Sequence, residues 1–235
     1  MKKTVLLLAL TATLAPMAAM AEAGDIVVRL RAVSVSPDES SSLGKYMARN
    51  IAPGLMSTGA ELAVDNNVIP EIDFSYYITK NIAAELILAV GSRHDVSITK
   101  AGAGAAIGNQ GLGSVNVLPP TLTLQWHFMP DQMFDPYVGA GINYSIMMDR
   151  KLNTESGAAA PIKINVERDS WGPAIQAGFD VNLKDGWQIN ADVKKVWMNT
   201  DVKAKNPLVA GTPWTKIDSL DIDPWVIGIG IGKKF

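Results

Sequence analysis

The apolar stretches of this chain alternate. In "DPWVIGIGIGKKF" (223–235) isoleucine and glycine change places residue by residue before the chain ends on Phe235. A helix would scatter such a pattern around its surface, whereas a strand sorts it cleanly onto two faces, because strand side chains repeat with period two. The same alternation recurs at 25–36, 69–79, 82–94, 117–128, 136–148, 170–181 and 187–198, which makes eight strand-like segments. In "LPPTLTLQWHF", for example, Leu122, Leu124, Trp126 and Phe128 oppose Thr121, Thr123, Gln125 and His127.

The beginning of the chain reads as an export signal. Lys2 and Lys3 precede the short apolar run Val5–Leu14 and a small-x-small site, Ala19-Met20-Ala21. This is the pattern of a signal peptide over 1–21, leaving 22–235 as the working domain. Its removal takes away two lysines, so the formal charge moves from −2 to −4. No basic tract speaks for nucleic acid as a partner. With no cysteine, disulfides and thiolate metal sites are excluded.

Hydrophobic residues make up 48% of the chain, yet no later apolar run approaches the ~20 residues of a spanning helix. The apolar side chains then face either a soluble β-core or lipid. Connection lengths favour lipid. Short turns near 80, 131 and 184 alternate with long segments at 37–66, 95–114, 149–168 and 200–220. That is the rhythm of an up-and-down outer-membrane barrel, with periplasmic turns and extracellular loops. The apolar faces end in Trp126, Phe128, Trp187, Trp197, Trp225 and Phe235, as interfacial girdles require. The fold expected is an all-β, eight-stranded antiparallel transmembrane barrel in the bacterial outer membrane, with a lumen narrow enough for side chains to fill. The long segments, such as "AGAGAAIGNQGLGS" (101–114), read as mobile and solvated.

In such a barrel the polar face turns inward. It carries Arg29, Arg31, Glu71, Asp73, Glu85, Arg93, Asp180 and Asp192, which are expected to form a salt-bridged filling for the periplasmic half of the lumen. Ile87, Val33 and Val35 are apolar on that same face, and point to an apolar pocket above the charges. In the first long segment Tyr46, Leu55 and Met56 would cap its mouth. Lys194 lies where an apolar residue would have completed a greasy constriction, so it reads as a polar gate residue. Pro119-Pro120 breaks the strand rule and marks a bulge or the end of regular pairing. His94 and Asp95 read as polar rim residues, and His127 lies at the opposite end of the barrel, so no metal site is expected. No nucleophile, base and oxyanion set appears; neither an enzyme nor a cofactor is expected.

"NIAAELILAVGSRH", "LPPTLTLQWHF", "PYVGAGINYS", "DSWGPAIQAGFDV" and "DPWV" with a terminal Phe together resemble the outer-membrane protein W (OmpW) family, over about six of the eight strands. The resemblance implies passive uptake or binding of small hydrophobic molecules through a narrow lumen, with exit through the barrel wall into the membrane. It also leaves open a channel for small polar solutes, or a receptor barrel whose loops bind phage, bacteriocin or a host surface. Outer-membrane lipid, small hydrophobic solutes and the barrel assembly machinery are the partners it implies, the last through the terminal Phe. Oligomeric state is left undefined.

Overall fold

The computed structural model describes residues 21–156, 161–205 and 213–235; the expected signal peptide, Ala21 apart, lies outside them. Eight strands build the wall: β1 Ile26–Ser36, β2 Asn67–Tyr77, β3 Ile82–Ala89, β4 Thr121–His127, β5 Phe134–Asp149, β6 Asp169–Asn182, β7 Trp187–Val196 and β8 Trp225–Lys234. Each pairs antiparallel with the next, and β8 returns to β1 with Leu30 opposite Ile231. The expected up-and-down barrel is therefore closed, and closure removes the unpaired edges that an open sheet would expose. Among the described residues no helix is long and apolar enough to cross a membrane.

The outer face is apolar along its length. Leu30, Leu122, Leu124, Ile142, Ile227 and Ile229 are all more than half exposed. Leaving such a side chain in water forgoes about 1.5–3 kcal/mol, so a belt of them requires lipid. Near the short turns lie Trp126, Phe128, Phe134, Trp187 and Phe235, and near the long connections Trp171, Trp197 and Trp225, all exposed. These are the two interfacial girdles.

The inner face is crowded. A Cβ added at Gly232 would lie 2.9 Å from Arg29 Cγ and from Gln188 Cγ, and one at Gly178 would lie 2.6 Å from the Tyr137 ring. Glycine thus gives clearance to long side chains on neighbouring strands, which explains the glycine half of the closing alternation.

The long connections depart from the sequence expectation. They are ordered into further strands that carry the wall outward. Glu61–Val64, Ser92–Thr99 and Gln110–Leu118 rise above β3 and β4. Lys151–Asn153, Lys163–Val166, Asn199–Lys205 and Thr215–Asp221 form a four-stranded sheet above β5 to β8. A helix, α1 Leu43–Asn50, lies in the first connection. One buried apolar cluster holds this extension together. It includes Leu43, Met47 and Met56 with Leu62, Ile98, Leu112, Ile164 and Leu220. The segment 101–114, expected to be solvated, contributes Ala101, Ile107 and Leu112 to it.

Candidate functional site

The lumen divides into a charged lower half and an apolar upper half. The lower half forms because Arg29 and Arg31 face Asp73 and Glu71 in the β1–β2 register. Arg29 reaches Asp180 Oδ2 at 2.7 Å, Glu85 Oε1 at 3.4 Å and Asp73 Oδ1 at 3.5 Å. Arg31 reaches Glu71 at 2.8 Å, Asp73 at 2.9 Å, Asp192 at 3.2 Å and Glu85 at 3.4 Å. Both guanidinium groups are fully buried. Buried charges persist only when paired and hydrogen-bonded, and neutral neighbours add hydrogen bonds to the ion pairs here. Ser75 Oγ accepts from Arg29 at 2.6 Å, and Gln188 Oε1 accepts from its Nε at 3.1 Å. Glu85 Oε2 accepts from Gln125 and Gln176, each at 2.8 Å.

Below this plug the periplasmic end is closed by rings. His127 stacks between Tyr77 and Tyr137 at centroid distances of 5.1 and 5.0 Å. His127 Nδ1 contacts Asp135 Oδ2 at 2.7 Å, and Asp180 lies close enough to join a three-residue donor cluster. The oxygens of Asp180 are already engaged by Arg29 and Asn190. The sequence singled out none of Ser75, Gln125, Gln176, Gln188, Asn190, Tyr137 or Asp135 as plug residues. Period two placed them inward, but only the closed register shows which strands face each other across the lumen.

Arg93, expected in this network, lies elsewhere. Val90 and Gly91 are both exposed, and Gly91 has φ +75°, so an extra residue interrupts the alternation after Ala89. The face that Glu85 and Ile87 share then continues as Ser92 and His94, while Arg93 turns outward and donates to Ser114 Oγ at 2.8 Å. A glycine in the left-handed region is the usual device for such a bulge. His94, expected at a polar rim, is buried instead. Its Nε2 lies 2.9 Å from Ser92 Oγ, and its Nδ1 lies 3.0 Å from the Asp65 carbonyl.

Above the plug lies a cavity of about 1100 Å³ of empty space, counting the part open to solvent. Val33, Val35 and Ile87 line it, with Ile69, Val115, Val226 and other apolar side chains from the extension. Lys194 and Glu71 form its floor. Lys194 Nζ is 2.9 Å from Glu71 and 3.1 Å from Asp192, so the lysine is the top of the plug rather than a free charge. Met56 lines a smaller adjoining cavity with Leu43, Met47 and Ile98, and Leu62 and Ile164 are shared by both cavities. Leu55 is half-buried against the apolar cluster; Tyr46 is half-buried on α1 and lines neither cavity.

One stretch of wall beside the cavity lacks ladder pairing. The β3–β4 register ends at Ile87 opposite Thr121, and pairing resumes only at Ser92 opposite Val117. Between them, 88–91 face 118–120, where Pro119 and Pro120 have no N–H to give. Ile87, Ala89, Ser92, Val117, Pro119 and Thr121 around this break all line the cavity.

A closed eight-stranded barrel with lipid-facing apolar side chains, two aromatic girdles and a filled lower lumen is an outer-membrane β-barrel protein. Comparison places it more closely. The OmpW family model matches residues 22–235, and the chain belongs to that family. It is 35% identical to outer membrane protein W of Vibrio cholerae over the whole of both chains. The crystal structure of the outer membrane protein OprG from Pseudomonas aeruginosa superposes with a TM-score of 0.74 at 30% identity, covering 91% of this chain and 97% of that one. A dibenzothiophene metabolism operon protein, PahQ, of Pseudomonas aeruginosa is 28% identical over 92% of this chain and 90% of its own. The protein is thus a barrel of the bacterial outer membrane.

Proposed function

We propose that the barrel takes up small hydrophobic molecules from outside, holds them in the upper cavity and releases them sideways into the membrane. Removal of residues 1–21 on export and folding by the barrel assembly machinery belong to the same reading. One observation carries it: an apolar cavity whose floor is a sealed ion network and whose side is a wall segment without ladder pairing. A solute resting on Lys194 and Glu71 meets buried charge below and a broken strand pair beside it. The name of the relative PahQ associates that protein with the metabolism of dibenzothiophene, an apolar aromatic compound, which is the kind of solute such a cavity suits. The filled lumen weighs against a through-channel for polar solutes.

The test is uptake of an apolar fluorescent probe by cells that carry the barrel, against cells that carry Ile87→Asp. Ile87 is 2% exposed on the cavity wall, and a carboxylate there places a charge among apolar neighbours. Uptake is expected to fall to the level of cells without the barrel. Unchanged uptake in a folded variant rules the cavity out as the route.

A further inference from the structure

We propose that the outer face of the four-stranded sheet docks the phosphate-bearing sugar head of an outer-leaflet glycolipid, with Lys151, Lys163 and Lys205 gripping the phosphate. The sheet sorts its residues by period two. Leu152, Ile164, Val166 and Val202 turn inward and are buried. Lys151, Lys163, Asn165, Lys203 and Lys205 alternate with them and so turn outward. Lys163 stands directly opposite Lys205, and Lys203 opposite Lys216. Lys151 stands opposite Asn165, one diagonal step from Lys163. Two of these lysines are neutralised, Lys216 by Asp201 at 2.6 Å and Lys203 by Glu167 at 3.6 Å. Among the described residues no ion pair involves Lys151, Lys163 or Lys205, and residues 157–160 and 206–212 carry no carboxylate side chain.

Like charges set directly opposite each other destabilise a strand pair, so the Lys163–Lys205 pairing calls for an anion between them. Diagonal neighbours lie about 7–8 Å apart, which long lysine side chains span, so all three ammonium groups can converge on one doubly charged group. A phosphate monoester is such a group, with a charge of about −1.5 to −2 and strong acceptor oxygens. Height on the wall selects its carrier. Lys163 lies eight residues outward from Trp171, and Lys205 eight outward from Trp197, both exposed tryptophans of the outer girdle. At about 3.3 Å per residue and a tilt of about 40°, the lysines stand roughly 20 Å above that girdle. Phospholipid head groups reach only about 5–8 Å beyond the hydrocarbon. A sugar head projecting from the outer leaflet reaches further, and this face is the part of the wall that it meets.

The test measures, by fluorescence anisotropy, binding of labelled rough-type lipopolysaccharide with a phosphorylated core to the full-length barrel in neutral detergent micelles. Each lysine facing an anionic lipid layer is worth roughly fivefold in affinity. Lys151→Gln with Lys163→Gln and Lys205→Gln should therefore weaken binding on the order of a hundredfold. Arginine at the same three positions keeps the charge and should keep the parent's affinity. Lys184→Gln, on an exposed periplasmic turn, should change nothing. Lipid A alone, and lipopolysaccharide stripped of its core phosphates, should bind the parent no better than the intact glycolipid binds the glutamine variant. Heat-modifiable migration on gels confirms that each variant is folded. Equal binding by the parent and the folded glutamine variant overturns the proposal. So does lipid A binding as tightly as the intact glycolipid, which would place the contact at membrane level. Displacement of the glycolipid by millimolar inorganic phosphate would make the lysines a free-anion site and overturn the lipid assignment.

Discussion

Arg31→Ala should unlock the lower lumen. The guanidinium holds four carboxylates, Glu71, Asp73, Glu85 and Asp192, at 2.8–3.4 Å, and its NH1 also donates to Asn190 Oδ1 at 3.0 Å. Truncation leaves Glu71 and Asp192 to share Lys194, while Asp73 and Glu85 keep Arg29 as their one paired cation, at 3.5 and 3.4 Å. A hydrogen bond to a charged group contributes roughly 1.5–3 kcal/mol, but such terms within one network do not add. Removing one partner of a buried ion pair costs about 3–5 kcal/mol, because the remaining charge is left uncompensated in low dielectric. Unfolding from lipid vesicles in urea, followed by the fluorescence of the six tryptophans, measures the loss. The exposed turn pair Lys80–Asp131 gives the internal control, since Lys80→Ala should cost under about 1 kcal/mol. Planar-bilayer recording supplies a second readout. The parent barrel should be electrically silent, and the variant should pass brief ion currents as water reaches the orphaned carboxylates. If Arg31→Ala unfolds within about 1 kcal/mol of the parent and stays silent, the network neither stabilises nor seals the lumen.

Three further outcomes follow from the wall. Gly232→Val places a branched side chain where even a Cβ lies 2.9 Å from Arg29 and Gln188, so it should cut the yield of heat-modifiable folded barrel severalfold on gels. Ile229→Lys puts a charge on a lipid-facing position that is 62% exposed, and should cost about 2–4 kcal/mol in the same urea titration if the site is near the bilayer midplane. Val90→Cys with Leu118→Cys, in a chain without native cysteine, should form a disulfide across the unpaired stretch of wall. Oxidation should then stop uptake of the apolar probe and reduction restore it; equal uptake in both states would exclude lateral release at this break.

Much of this was legible because period two is a strong signal where one face meets lipid and the other a packed lumen. β1 was expected at 25–36 and observed at Ile26–Ser36; β7 was expected at 187–198 and observed at Trp187–Val196. The same alternation turned Arg29, Arg31, Glu71 and Asp73 inward together, and the register then sets Arg29 opposite Asp73 and Arg31 opposite Glu71. The extension was harder to see. Its strands run from three to nine residues, and their few apolar members (Val96 and Ile98, Ile164 and Val166) lie among serines, asparagines, glycines and lysines that resemble loop composition. The parity error at Arg93 came from a single inserted residue at a glycine that sequence alone cannot distinguish from a strand glycine such as Gly230.

The two halves of the lumen together decide which way out is cheaper for a bound solute. An apolar molecule leaving water gains about 0.8 kcal/mol per methylene whether it rests in the cavity or in lipid, so the cavity-to-lipid step is close to level. Passing downward would mean separating Lys194 from Glu71 at 2.9 Å, then Arg31 from Asp73 at 2.9 Å, then Arg29 from Asp180 at 2.7 Å. Each separation strands desolvated charges beside a solute that can offer no hydrogen bond, at several kcal/mol apiece. Passing sideways between 88–91 and 118–120 breaks no ladder pair. What it must displace is the side-chain packing around Ala89 and Pro119, which line the cavity at this break. On the proposed reading, a barrel with a charged floor and an unpaired apolar flank would need no opening of its lower lumen to release a hydrophobic solute, and the plug would remain intact.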